Sequence, residues 1–122
     1  MADTEKIVFM LTHGPEDPDR ATIPFAMANA ALAMDVEVVV ALQGSAVLLA
    51  QKGNAEHIFA PNFPPLKELI ESFFAQGGQL LVCVPCLKSR KLEESDLIKG
   101  AQATAAGRLI KEILEAKATL NY

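Results

Sequence analysis

Two cysteines stand three positions apart in Cys83-Val84-Pro85-Cys86, at the end of the apolar run Gln79 to Val84, with Lys88, Arg90 and Lys91 close behind. The thiolate is the nucleophilic form of cysteine, and nearby cations or backbone N–H groups lower its pKa from about 8.5 towards neutrality. A reactive thiol is therefore the first chemistry this segment offers, against the plainer reading of a small buried hydrophobe at a strand end. A second candidate is His13, at the end of another apolar run, as a proton acceptor or a donor to bound sulfur; an ordinary loop histidine is the bland alternative.

The C-x-x-C spacing has three readings. A structural zinc takes four ligands, and the chain offers two cysteines with His13 and His57, far apart in sequence and without finger-like spacing; no metal is expected. Cys-Val-Pro-Cys also resembles a thioredoxin-type dithiol, a motif that normally follows an early βαβ pattern, whereas here it comes after two strands and at least two helices. In the third reading Cys83 carries a sulfane sulfur as a persulfide, and Cys86 releases it by forming a disulfide. Glu16, Asp17 and Asp19 lie among prolines and read as a solvated turn and helix cap rather than a cation site. Glu93, Glu94 and Asp96 sit at the start of a helical piece, where their charge complements the helix dipole.

The elements that must position these groups follow from the apolar pattern. Ile7 to Leu11 reads as a strand buried on both faces. The loop Thr12 to Asp19 leads into an Ala/Met-rich helix running to Met34; because Pro24 suits only a helix start, Asp19 or Thr22 is the expected N-cap. Val36 to Leu42 is a second strand, and Ser45 to Gln51 a short helix. Residues 55–65 read as a loop with a brief strand near His57-Ile58-Phe59. Leu66, Leu69, Ile70, Phe73 and Phe74 form a helical stripe ending at Gly77-Gly78. Gln79 to Val84 is a third strand with the cysteine loop at its carboxyl end. Glu94 or Ser95 starts a short helical piece interrupted at Gly100, Ala105 to Leu114 forms an amphipathic helix, and Ala118 to Tyr122 closes as an edge strand.

Alternating strands and helices imply an α/β fold of three layers, a mainly parallel sheet with helices on both faces, formed as one domain over residues 1–122. In such a sheet ligands bind outside the carboxyl ends of the strands. Three segments converge there: Thr12 and His13, Gln43 to Ser45, and the cysteine segment.

Composition narrows the function classes. The 122 residues are 51% hydrophobic and carry a net charge of −4. The apolar excess points to a homo-oligomer, with the Ala-rich helix or the Phe73/Phe74 helix as interface. The acidic balance disfavours nucleic acid and anionic membrane as general partners. Ile7 to Leu11 is too short for a signal-peptide core, and no segment approaches a membrane span, so the cytoplasm is the expected compartment. No organic cofactor is implied.

The pattern Cys83, Leu87, Arg90, followed by Glu94-Ser95-Asp96-Leu97-Ile98-Lys99-Gly100, resembles the DsrE/DsrF-like family of small sulfur-relay proteins, which includes the TusD-type carriers. Thr12-His13-Gly14-Pro15 and the closing Ala118 to Tyr122 are similar to that family as well. The resemblance implies a flavodoxin-like fold, trimers or hexamers, and one cysteine as the persulfide site, which carries over to Cys83. Its partners would be sulfur donor and acceptor proteins or small sulfur compounds. Two departures stand out: Lys91 occupies a position where the family often has glycine, and Cys86 is an addition to the single-cysteine pattern.

The resulting expectation is a sulfur-relay protein with Cys83 as carrier, Cys86 as resolving thiol, and His13, Lys88 and Arg90 at the substrate. The alternatives are a thiol-disulfide oxidoreductase using the same two cysteines and a non-catalytic, oligomeric ligand-binding module.

Overall fold

The computed structural model describes residues 4–122. Five strands, β1 Lys6–Leu11, β2 Glu37–Leu42, β3 Gln79–Cys83, β4 Ala101–Thr104 and β5 Ala118–Asn121, form one sheet in the order β4-β3-β2-β1-β5. Every neighbouring pair is parallel. The helices are α1 Pro18–Ala33, α2 Leu66–Ala75, α3 Val84–Ser89 and α4 Ala106–Glu115, with short 3-10 turns at Gly44–Ala50, Ala55–His57 and Glu94–Asp96.

The sheet separates two apolar layers. Phe9, Leu11, Val40, Leu42, Leu80 and Val82 face the larger one, where they meet Phe25 of α1 and Phe73 of α2. The two rings pack edge to face with centroids 5.5 Å apart, the arrangement that aromatic quadrupoles favour. The alternate residues Val8, Val39, Ala41 and Leu81 face the other layer, which is covered by Leu109 and Ile113 of α4. Residues 38–42 of β2 are all buried, as a strand between two helical layers requires.

α4 is held by charge as well as by apolar contact. Lys6 Nζ donates to Glu112 at 2.8 Å and to Glu115 at 3.2 Å, while Arg108 donates to Glu112 at 2.9 Å and to Gln79 at 3.1 Å. Burial pulls the Glu112 carboxyl up, but the hydrogen bonds from Lys6 and Arg108 outweigh it and hold the group below the usual carboxylate range. The same bond to Glu112 raises the Lys6 ammonium. Lys6 and Gln79 begin their strands, so this network pins α4 over the amino ends of β1 and β3.

Four local expectations are corrected. Helix α1 is capped by Asp17, whose carboxylate accepts from the Arg20 amide at 3.1 Å, so it begins before Asp19 and Thr22 and carries Pro24 in its interior. An interior proline costs a helix about 3 kcal/mol; burial of Pro24 in the larger core offsets it, and Pro18 fits the first turn. No strand forms near His57-Ile58-Phe59, where a 3-10 turn stands instead. Ala101–Thr104, a run with no β-branched pattern, is the edge strand β4 because pairing with β3 satisfies its backbone. Phe73 is fully buried between α1 and the sheet, so of the Phe73/Phe74 pair only Phe74 reaches the surface of α2. The exposed large apolar residues include Ile110 and Leu114 of α4 and Leu120 of β5.

Candidate functional site

Strand β3 ends at Cys83, and α3 begins with the next residue. The cysteine segment is therefore not a loop: Pro85 lies in the first turn, where its missing N–H is no loss, and Cys83 caps the helix. The two Cα atoms are 5.3 Å apart and the sulfurs are paired as a disulfide across that turn. Cys83 Sγ also accepts from the Cys86 amide at 3.4 Å. Pro85 thus sits within the helical turn across which the two sulfurs meet.

Cys86 has a second partner, from β2. Gly44 follows that strand with φ +55°, a left-handed conformation that favours glycine, and its amide donates to Cys86 Sγ at 3.3 Å. The turn that holds Gly44 is tied to the loop after β1. Ser45 Oγ donates to Glu16 Oε2 at 2.8 Å, and the Gly14 amide donates to both carboxylate oxygens of Glu16 at 3.0 Å. A Cβ at Gly14 would collide with the Ser45 carbonyl, so only glycine permits this approach. Burial pushes the Glu16 carboxyl up, but the bonds from Ser45 and from backbone amides, that of Gly14 among them, dominate and hold it below its ordinary range. Glu16 is a structural clamp and not merely a solvated turn residue, a role invisible without its partner 29 residues away.

The other expected site residues are placed as follows. His13 lies at the end of β1, with Nδ1 3.3 Å from Thr12 Oγ1 and Nε2 3.4 Å from Arg20 Nη1. Among the described residues no hydrogen bond links it to either sulfur. Arg90 reaches back along α3 and donates to the Cys86 carbonyl at 3.2 Å and to Ser89 Oγ at 3.1 Å. Lys88 is exposed on α3. Arg90 is thus coupled to the cysteine segment through its backbone, whereas Lys88 and His13 border the same end of the sheet.

On the α4 side, a cleft of about 210 Å³ opens beside Cys83. Ala41, Leu81, Leu109 and Ile113 line it, and the polar side chains in its wall besides Cys83 are Gln43 and Thr104. Thr104 pairs in register with Cys83 across β3 and β4. No sequence pattern announces this cleft, since its walls come from four strand ends and two helices.

A profile of the DsrE/DsrF-like family matches residues 5–122, nearly the whole chain and the whole of this site. The chain belongs to the DsrE/DsrF-like family. Similar chains include the uncharacterized protein MK0008 of Methanopyrus kandleri, 31% identical over 110 residues that cover 89% of this chain and 87% of that one. The uncharacterized protein MJ0989 of Methanocaldococcus jannaschii is 30% identical over 118 residues, covering 96% and 99%. A third relative, the uncharacterized protein MJ0760 of the same organism, is 26% identical over 102 residues; the match takes in 84% of this chain but 37% of that longer protein.

Two solved structures share the fold. The ychN protein from E. coli superposes with a TM-score of 0.83 at 19% identity, covering 98% of this chain and all of that one. MTH1491 from Methanobacterium thermoautotrophicum gives 0.78 at 15% identity, covering 97% and 99%. At these identities the likeness is one of fold.

Lys91 completes the turn that ends α3. It follows α3 with φ +57°, its amide donates to the Lys88 carbonyl at 3.1 Å, and the Leu92 amide donates to the Leu87 carbonyl at 3.0 Å. These are the two bonds of a Schellman cap, whose left-handed position is usually glycine. Lysine here adopts that left-handed turn and bears the steric cost of a Cβ.

Proposed function

We propose that this DsrE/DsrF-like protein carries sulfane sulfur as a persulfide on Cys83 and that Cys86 is the resolving thiol. The observation that supports this most directly is the placement of both sulfurs within bonding reach on one helical turn, at the carboxyl ends of the strands. In loading, the Cys83 thiolate attacks the terminal sulfur of a donor persulfide. The donor's S–S bond breaks, the donor leaves as a thiolate, and Cys83–S–SH remains.

Two exits are open. An acceptor thiolate can attack the outer sulfur and regenerate the Cys83 thiolate. Alternatively, the Cys86 thiolate attacks Cys83 Sγ and expels the outer sulfur as hydrosulfide, leaving the internal disulfide. That disulfide needs an external thiol reductant before the next cycle. The Gly44 amide donates to Cys86 Sγ and the Cys86 amide to Cys83 Sγ, so each sulfur has a backbone N–H donor beside it.

A second reading, thiol-disulfide exchange with protein substrates, draws on the same pairing of Cys83 and Cys86. Intact-mass analysis separates the two. After incubation of the reduced protein with a persulfide donor, a gain of one sulfur atom that maps to Cys83 supports the carrier. No gain, with faster reduction of a protein disulfide, supports the oxidoreductase. The proposed carrier works as a homo-oligomer, a trimer or hexamer, assembled through the exposed Leu114 of α4 and Leu120 of β5, with sulfur donors and acceptors as its partners.

A further inference from the structure

We propose that the cleft between α4 and the sheet binds the organic part of a small thiol that takes sulfane sulfur from Cys83, and that this part is a short, uncharged apolar chain. The inference rests on the persulfide reading of Cys83 and names the class of acceptor.

Three observations carry it. First, the reacting atom belongs to a wall residue: Cys83 lines the cleft together with Met10, Leu81, Leu109 and Ile113. A ligand lying there has its end beside the sulfur. Second, among the described residues no charged side chain lines the cleft. The charges that α4 carries inward, Arg108 and Glu112, are engaged with Lys6 and Gln79 at the amino ends of the strands, so a charged ligand would lose its hydration without a partner. Third, the size suits a short chain. About 210 Å³ is below the roughly 300–1,000 Å³ of drug-sized sites and equals the liquid volume of about seven waters.

A second copy of the chain is the competing occupant. Of the apolar residues it would cover, Ile110 at 54% exposure belongs to the cleft wall, but Leu114 at 80% and Leu120 at 38% lie outside it. Small side chains make the space instead: Ala41 from β2 and Ala105 and Ala106 at the start of α4.

The step balances without an added oxidant. The acceptor thiolate RS⁻ attacks the outer sulfur of Cys83–S–SH, and the bond from that sulfur to Cys83 Sγ breaks. Cys83 leaves as a thiolate with the electron pair, and the proton stays on the product R–S–SH.

The test uses the full-length Cys86→Ser protein, whose persulfide has no internal nucleophile, loaded with sodium tetrasulfide. Ethanethiol, 1-butanethiol, 1-hexanethiol and 2-mercaptoethanesulfonate are offered as acceptors, with rates corrected by those for glutathione persulfide. Each buried methylene is worth up to about fourfold, so the corrected rate should rise at least tenfold from ethanethiol to hexanethiol and fall below that of ethanethiol for the sulfonate. Ala106→Phe fills the cleft from an exposed helix start and should erase the chain-length preference; Ala105→Leu serves if that variant melts early.

Successful loading with rates indifferent to chain length would overturn the cleft and leave the persulfide reading standing. A preference that survives both filled variants overturns it too. So does a preference that emerges only when Leu114→Glu separates the subunits, since a second copy would then occupy the cleft. Failure to load removes both proposals.

Discussion

The amide of Gly44 donates a hydrogen bond to the sulfur of Cys86 across 42 positions of sequence, at 3.3 Å. It ties the turn after β2 to the helix after β3, and so makes the chemistry of the C-x-x-C segment depend on a strand that contains no cysteine. Both cysteines pack against the main core, and Cys83 in addition lines the cleft on the α4 side. The two thiols differ in surroundings although they share one turn.

Gly44→Ala should weaken this tie in two ways. A Cβ at φ +55° strains the backbone by about 1–2 kcal/mol, and any relaxation moves the donor away from Cys86. The expected outcome is a lower melting temperature together with slower alkylation of Cys86 by iodoacetamide near neutral pH, with Cys83 little changed. Equal slowing at both cysteines, followed by peptide mapping, would show that the amide does not act on Cys86 selectively.

Cys86→Ser should lengthen the life of the Cys83 persulfide. In the wild type, attack of Cys86 on Cys83 Sγ releases hydrosulfide and leaves a disulfide, so sulfide release and loss of free thiols should run in parallel. Time-resolved intact mass of the two loaded proteins gives the comparison. Identical lifetimes would make Cys86 a packed residue and Cys83 a one-cysteine carrier.

The network under α4 predicts an acid limb in stability. Glu112 and Glu16 are held below their ordinary range when folded, so the stability they add is present above their unfolded pKa values and is lost as pH falls through the folded ones. Lys6 is raised, so its share is present below its unfolded pKa and disappears as pH rises through the folded value. Glu112→Gln should cost about 2–3 kcal/mol at neutral pH and flatten the fall in urea-unfolding free energy on acidification. An unaltered acid slope in the variant would place the titrating groups elsewhere.

Lys91→Gly should stabilise the protein, because it removes a Cβ from the left-handed position of the α3 cap. The gain is about 1 kcal/mol, the relief of αL strain less the greater freedom of glycine in the unfolded chain. Urea unfolding measures it, and a loss of stability would mean that the lysine side chain contributes more than its backbone costs.

Leu114→Glu should reduce the oligomer, since Leu114 is exposed on α4 and a carboxylate cannot be buried there unpaired. Multi-angle light scattering at micromolar concentration is the measurement. A wild type that already runs at the 13.1 kDa of one chain would end the assembly proposal.

Periodicity and composition by themselves determined most of this fold. The run rich in β-branched residues at Val36 to Leu42, the helical stripe from Leu66 to Phe74 and the apolar run up to Cys83 are properties of short windows, and a parallel sheet follows from their alternation. The same local signals put both cysteines at a carboxyl strand end, because C-x-x-C and the preceding strand are contiguous. Where the energetics are not local, the window is silent. Pro24 lies inside α1 because the core repays a helix defect, and Ala101–Thr104 is a strand only because β3 offers it a ladder. Glu16, Ser45 and Gly44 become supports of the thiol pair only when β1 and β2 lie side by side. The cleft beside Cys83 is likewise a product of tertiary structure: its walls are drawn from segments scattered from Met10 to Ile113, and the space between them exists only once α4 has packed against the sheet.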